Sequence, residues 1–305
     1  MDMTISRREL LQLAGAAGLA VLPPRAIAAA TSCMFLVVGD WGMDTPELRK
    51  VARQMGITAA AEDCRFVISV GDNFYSSGVS GVRDPLWQER FESVFSAPAL
   101  QCPWYAVLGN HDHRGSIQAE VAYHGVDSRW NMPGRYFARQ EPLSDGSHAD
   151  FFYIDTNPIE HPGIYDELFS SGFAAAQMAW LEEELRGSRA AWKFVAGHHT
   201  IFSGGQHGTS DRMVRAVKPL LDRYGVAAYL NGHDHDLQHI VMDGIHYITS
   251  GAGAETTSVT KIEGSLFAAA RPGFLAAQLR PDELAFRFIG SDGSLLYSSS
   301  FPPRS

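Results

Sequence analysis

Cysteine is scarce in this 305-residue chain. Cys33, Cys64 and Cys102 are too few and odd in number for a disulfide framework, and none has the paired spacing of a zinc or redox motif. Long apolar runs are missing too: the best candidate, Leu10 to Leu22, is interrupted by Gln12 and falls short of the roughly 20 residues a membrane span needs. Positive charge is short. Against 34 Asp plus Glu stand 25 Lys plus Arg, a formal net charge of -9. A general polyanion binder needs a basic face, so no nucleic-acid-binding surface is expected. After residue 30 there is no internal repeat, low-complexity tract or Pro/Gly linker. What is present, 45% hydrophobic and 19% charged residues, describes a globular chain with a sizeable core. One domain over 31–305 is the expectation.

Residues 1–30 read as an address. Ser6-Arg7-Arg8-Glu9-Leu10-Leu11 sets two arginines before the apolar run, and Ala26-Ile27-Ala28 or Ala28-Ala29-Ala30 offers the small residues a signal peptidase requires. The arrangement resembles a bacterial twin-arginine signal. It implies the twin-arginine export machinery as a partner, a periplasmic or secreted location, and no membrane anchor in the mature form. Its removal would leave the remainder one charge more acidic.

Further along, short apolar runs each end in Gly and a polar cluster: Met34 to Val38, Phe66 to Val70, Trp104 to Leu108, Phe194 to Ala196 and Val226 to Leu230. Between them, Met178, Leu181 and Leu185, and Met213, Val217, Leu220 and Leu221, keep helical spacing. Buried parallel strands with helices outside give this pattern, an α/β fold. After Asp236 the period changes to two near His239 to Thr249, Gly273 to Leu279 and Glu283 to Ile289, with hairpin signals at Asp243-Gly244 and Asp292-Gly293. The C-terminal strands should be mainly antiparallel.

In such sheets ligands bind beyond the carboxyl ends of the strands. There lie Gly39-Asp40-Trp41-Gly42, Gly71-Asp72-Asn73-Phe74-Tyr75, Gly109-Asn110-His111-Asp112-His113, Gly197-His198-His199 and Gly232-His233-Asp234-His235. Taken singly, each could be a turn, a helix cap or a satisfied core imidazole. Together, five Gly-plus-donor segments at one structural level exceed what turns alone require. Carboxylate and phenolate oxygens suit a hard ion such as Fe(III), whereas imidazole and a neutral amide suit a divalent one.

These segments, in this order, resemble the calcineurin-like metallophosphoesterases. Asp-Trp-Gly, Asn-Phe-Tyr and His-Asp-His are similar to the small, mammalian-type purple acid phosphatases (tartrate-resistant acid phosphatase) over about Phe35 to His239. The resemblance implies a four-layer αββα sandwich of mixed sheets. It also implies a dinuclear centre: Asp40, Tyr75 and His235 on Fe(III), Asn110, His198 and His233 on a divalent ion (Fe, Zn or Mn), and Asp72 bridging both. Tyr75 is the discriminating residue, although it could also serve a two-zinc site. The implied activity is metal-dependent hydrolysis of phosphate monoesters by metal-activated hydroxide, with an acidic optimum, and a phosphodiesterase is the alternative. His111 and His207 match the two histidines that bind phosphate and protonate the leaving group.

Departures from the family pattern are visible. Gln206 stands where a glutamate is usual beside the second histidine, and His199 replaces an aromatic after His198, either contacting substrate or filling space. His113 and His239 match no ligand and are expected to be solvated or to lie behind the ligands. Gly204, Gly205 and Gly208 suggest a mobile His207 loop. Asn157 to Gly172 lacks the cysteines of the mammalian regulatory loop. The three cysteines precede their motifs by seven or eight residues, at the strand ends away from the metals. They read as buried hydrophobes, or as a disulfide between two of them if the strands are neighbours.

Overall fold

Strand β1 (Cys33–Val38) is buried along its whole length. A strand with no solvated face must be covered on both sides, and its alternating side chains show how. Cys33, Phe35 and Val37 enter a central core with Phe66, Ile68, Phe151 and Phe194. Met34, Leu36 and Val38 enter a second core with Leu48, Val51, Ala52 and Met55 of helix α1 (Pro46–Glu62). The helix begins where Thr45 Oγ1 accepts the Leu48 N–H at 3.1 Å and Pro46 takes the first turn.

The computed structural model describes residues 32–162 and 172–304. The expected export signal lies outside the described residues, as does 163–171 of the Asn157 to Gly172 stretch. Two seven-stranded sheets face each other. In the first, β1 pairs in parallel with β2 (Phe66–Ser69), then β3 (Trp104–Ala106) and β4 (Trp130–Asn131). On its other side β1 pairs antiparallel with β12 (Gly273–Leu279), followed by β13 (Leu284–Gly290) and β14 (Leu295–Phe301). The second sheet runs β11 (Ser265–Ala269), β9 (Leu237–Met242), β10 (Ile245–Ser250), β8 (Ala228–Asn231), β7 (Trp192–Ala196), β6 (His148–Tyr153) and β5 (Phe137–Pro142).

Short helices α2 (Ile117–Ala122) and α3 (Asn157–Glu160) precede α4 (Phe173–Gly187), α5 (Asp211–Ala216) and α6 (Lys218–Arg223). Leu181 and Leu185 of α4, with Met213, Val217 and Leu221, form the third core against the outer face of the second sheet. The layers are therefore α, β, β, α, as expected. The run around Val217 is two helices rather than one, because Pro219 has no N–H to continue the first. Asp243 and Gly244 both take positive φ, 53° and 75°, and turn β9 into β10. One strand departs from the antiparallel expectation: β10 pairs in parallel with β8 and extends the parallel part of the second sheet.

Candidate metal centre

The carboxyl ends of β1, β2 and β3 in one sheet and of β7 and β8 in the other open onto a common edge, where the backbone bends sharply. Asp40, Asp72 and His233 have φ of 56°, 52° and 73°. This is the left-handed region, which costs a side-chain-bearing residue about 1–2 kcal/mol. The glycines beside them permit close approach: a Cβ on Gly109 would collide with Asp72 Oδ1, and one on Gly232 with Asp40 Oδ2. The loops are tied to each other. Buried Asp112 accepts the N–H groups of Gly109 at 2.8 Å, Asn73 at 3.1 Å and Phe74 at 3.0 Å, locking the Asp72 loop to the Asn110 loop. Asp40 accepts His233 N–H at 3.0 Å and Asp72 accepts His111 N–H at 2.9 Å.

All seven expected ligands converge. Tyr75 OH lies 3.1 Å from Asp40 Oδ1 and 3.1 Å from His235 Nε2. Beside this group, His198 Nε2 lies 3.1 Å from Asn110 Oδ1 and 3.2 Å from His233 Nδ1. Asp72 stands between them, with Oδ1 3.5 Å from His198 Nε2. Donor atoms of Asp40, Asp72 and His198 fall within 4.8 Å of one another. The oxygen donors Asp40, Asp72, Tyr75 and Asn110 follow strands of the first sheet, and the imidazoles of His198, His233 and His235 follow strands of the second.

The electrostatics ask for cations. Burial and then the Asp72 charge push the Asp40 carboxyl well above its usual range. Burial, Asp40 and Asp72 likewise hold the Tyr75 phenol far above its ordinary value, so phenolate here needs a strong positive charge. Among the described residues no Lys or Arg pairs with Asp40 or Asp72. Burial drives His198, His233 and His235 toward the neutral form, the form that binds metal. His198 Nδ1 lies 2.9 Å from Val70 O, so Nδ1–H donates there and the Nε2 lone pair faces Asn110 and His233. The donor set fits two cations, one among mainly anionic oxygens and one among imidazoles and an amide.

The group borders a cavity of about 320 Å³ that His111 and His207 also line, together with Arg114, Gln206 and Glu255. His111 Nδ1 sits 2.7 Å from Ser76 O and its Nε2 4.0 Å from Asp72 Oδ2. The His207 ring stacks on His233 with centroids 3.9 Å apart. A larger cavity of about 530 Å³ lies beside Arg139, Asp150 and Glu184 and holds none of these segments.

Several expectations need correction. The His207 loop is anchored rather than mobile. Gly204 N–H donates to Gln238 Oε1 at 2.9 Å, Thr260 N–H donates to Gly204 O at 2.9 Å, and Asp234 accepts His207 N–H at 2.7 Å and the Ser203 hydroxyl. Side chains at 204 and 205 would strike Thr260 O and the Asp234 and Asp236 carboxylates, so those glycines serve close approach. Of the two readings of His113 and His239, the solvated one fails, because both are buried. His113 Nε2 meets Asp155 Oδ1 at 2.9 Å, and Arg135 Nε donates to Asp155 Oδ2 at 2.8 Å. Burial raises the Asp155 pKa, but the contacts with His113 and Arg135 outweigh it and the net shift is downward. His239 Nε2 lies 2.8 Å from His246 Nδ1.

His199 is buried with its ring 4.4 Å from that of His233. Thr156 Oγ1 accepts the N–H groups of His198 and His199 at 3.3 and 3.0 Å, so its own proton goes to His199 Nδ1 at 2.8 Å. The His199 Nε2 therefore carries the ring proton. Asp112, Asp234 and Arg114 serve the site without being expected ligands, and the first two are marked in the sequence as the acidic members inside the His-Asp-His runs.

Fold and site together define a calcineurin-like phosphoesterase, and the family model of that description matches residues 34–237. Within it the chain belongs with the purple acid phosphatases. It is 36% identical to purple acid phosphatase 7 of Arabidopsis thaliana, over 90% of this chain and 87% of that protein. It is 34% identical to tartrate-resistant acid phosphatase type 5 of Oryctolagus cuniculus, over 93% of this chain and 95% of that one. Among solved structures, GAP50, described as the anchor in the inner membrane complex of Plasmodium, superposes with a TM-score of 0.81 at 25% identity, covering 90% of each chain.

Proposed function

We propose that the chain is an exported acid phosphatase that hydrolyses phosphate monoesters at a centre of Fe(III) and a divalent Fe, Zn or Mn ion. Asp40, Tyr75 and His235 would hold Fe(III), Asn110, His198 and His233 the divalent ion, and Asp72 both. The single observation that supports it most is the convergence of these seven side chains at a cavity that also presents His111 and His207. When bound, the two ions supply Lewis acidity and an activated water at low pH.

The protein's own groups do the rest. Arg114 brings a cation to the rim for the non-bridging phosphoryl oxygens. His111 is oriented by Ser76 O, which accepts from Nδ1 and turns Nε2 toward the reacting phosphoryl group. His207, stacked on His233, faces the leaving oxygen, and one of these two histidines is placed to give it a proton. The Arg7-Arg8 signal and the 34% identity to a tartrate-resistant acid phosphatase support export and monoester chemistry respectively.

Metal analysis of the untreated protein with its visible spectrum, beside turnover of p-nitrophenyl phosphate and bis-p-nitrophenyl phosphate, tests the reading. Iron, a phenolate charge-transfer band and faster monoester turnover at acidic pH are expected. Faster diester turnover would shift the activity to phosphodiesterase. Metal binding without turnover would leave a binding protein on the same fold, a use consistent with the anchor description of GAP50.

A further inference from the structure

The three cysteines have different surroundings. Cys33 is buried at the start of β1, in the core between the sheets. Cys64 and Cys102 are half-buried, two residues before β2 and β3, against the core beneath α1. Those two strands are parallel neighbours, with Val67 opposite Trp104 and Val67 N–H donating to Pro103 O at 2.9 Å. Continued backward, this register leaves Cys64 and Cys102 one residue out of step; strands roughly 4.8 Å apart with a rise of about 3.3 Å per residue then put their Cα atoms about 6 Å apart, inside the separation of about 4.4–6.8 Å that a disulfide spans. The two thiols are free and hydrogen-bonded to each other, and Cys64 Sγ also reaches Phe66 O at 3.2 Å.

We propose that Cys64 and Cys102 form a disulfide that staples the entry of β2 to the entry of β3. The neighbouring Cys64 thiol, together with the Arg129 charge, lowers the Cys102 thiol, which makes Cys102 the attacking sulfur. Its thiolate attacks a disulfide-bearing oxidant such as oxidised glutathione, breaking that S–S bond and releasing one thiolate. Cys64 then attacks the mixed disulfide at Cys102 Sγ and expels the second. Two thiols of the protein lose two protons and two electrons, and the oxidant gains both as two thiols. The staple lies at the strand ends away from Asp72 and Asn110. It closes a loop of the unfolded chain that contains Asp72 and Tyr75, so oxidation stabilises the fold without reshaping the site.

The full-length, metal-loaded protein is reduced, freed of reductant and treated with oxidised glutathione. It is then acid-quenched, alkylated under denaturing conditions and digested. The expected product is a Cys64–Cys102 cross-linked peptide pair with Cys33 alone alkylated, a melting temperature higher by about 5–10 °C than that of the reduced form, and unchanged phosphatase turnover. Cys64→Ser should stop at a glutathione adduct on Cys102, whereas Cys33→Ser should cross-link normally. Three alkylated thiols after oxidation, an adduct on Cys102 of the unaltered chain that never resolves, or a cross-link through Cys33 would each overturn the assignment. The cross-linking and melting readouts do not depend on the metal or substrate assignments.

Discussion

Lowering the pH should destabilise this protein through a histidine pair outside its metal centre. His239 is buried, with Nδ1 3.1 Å from Tyr297 OH and Nε2 against His246, whose ring stacks on Phe301. Burial, then the neighbouring ring, pushes His239 from 6.5 down to about 3. Burial and then the Arg304 charge push His246 down to about 4. Both rings are neutral in the folded chain, so the unfolded chain binds the extra protons. Their contribution is fully present above 6.5 and is lost progressively as the pH falls toward 3–4.

Between about pH 7.5 and about pH 5 the loss is on the order of 2 kcal/mol from His239. The more exposed His246 adds ~1 kcal/mol after allowance for solvent. Denaturant unfolding at the two pH values, with metal held constant, measures it. His239→Gln keeps hydrogen-bonding groups facing Tyr297 and His246 but does not titrate. It should start less stable and lose about 2 kcal/mol less on acidification. Parallel losses in the two proteins would refute the reasoning.

Asp234→Asn should leave metal content intact and lower kcat by about 10–100-fold with a broadened acidic limb of the pH profile, because the loop carrying His207 loses its charged anchor. A change confined to KM would count against that role. Tyr75→Phe should abolish any visible band while both metals remain by elemental analysis; a retained band would remove the phenolate. Gly109→Ala should displace the Asp72 carboxylate, reducing metal content and lowering stability by about 1–3 kcal/mol in denaturant melts. Unchanged metal content would show that the loop can yield.

Much of this was legible because buried strands and strand-end donors leave strong marks. Met34 to Val38 is apolar throughout since β1 is covered on both sides, and Asp40, Asp72 and Tyr75 stand at fixed steps beyond such strands. Less was legible where the signal is weak. β4 has two residues, and β5 alternates exposed and half-buried positions around Arg139. The parallel pairing of β10 with β8 depends on which edge of a sheet is vacant, which local periodicity does not encode. Glycines at 204 and 205 look like flexibility in a sequence, and only Thr260 and Asp234 close by reveal them as clearance. Likewise, nothing local says that His113 will find Asp155 forty-two residues later.

The division of donors between the sheets has a mechanical consequence. With oxygens hung from one layer and nitrogens from the other, ions held at the edge would act as rivets through both plates, and shear between the plates would be resisted by coordination as well as by the greasy filling. Unfolding temperature should then climb with the logarithm of free metal, and a chelator should soften the seam between layers before it melts either sheet.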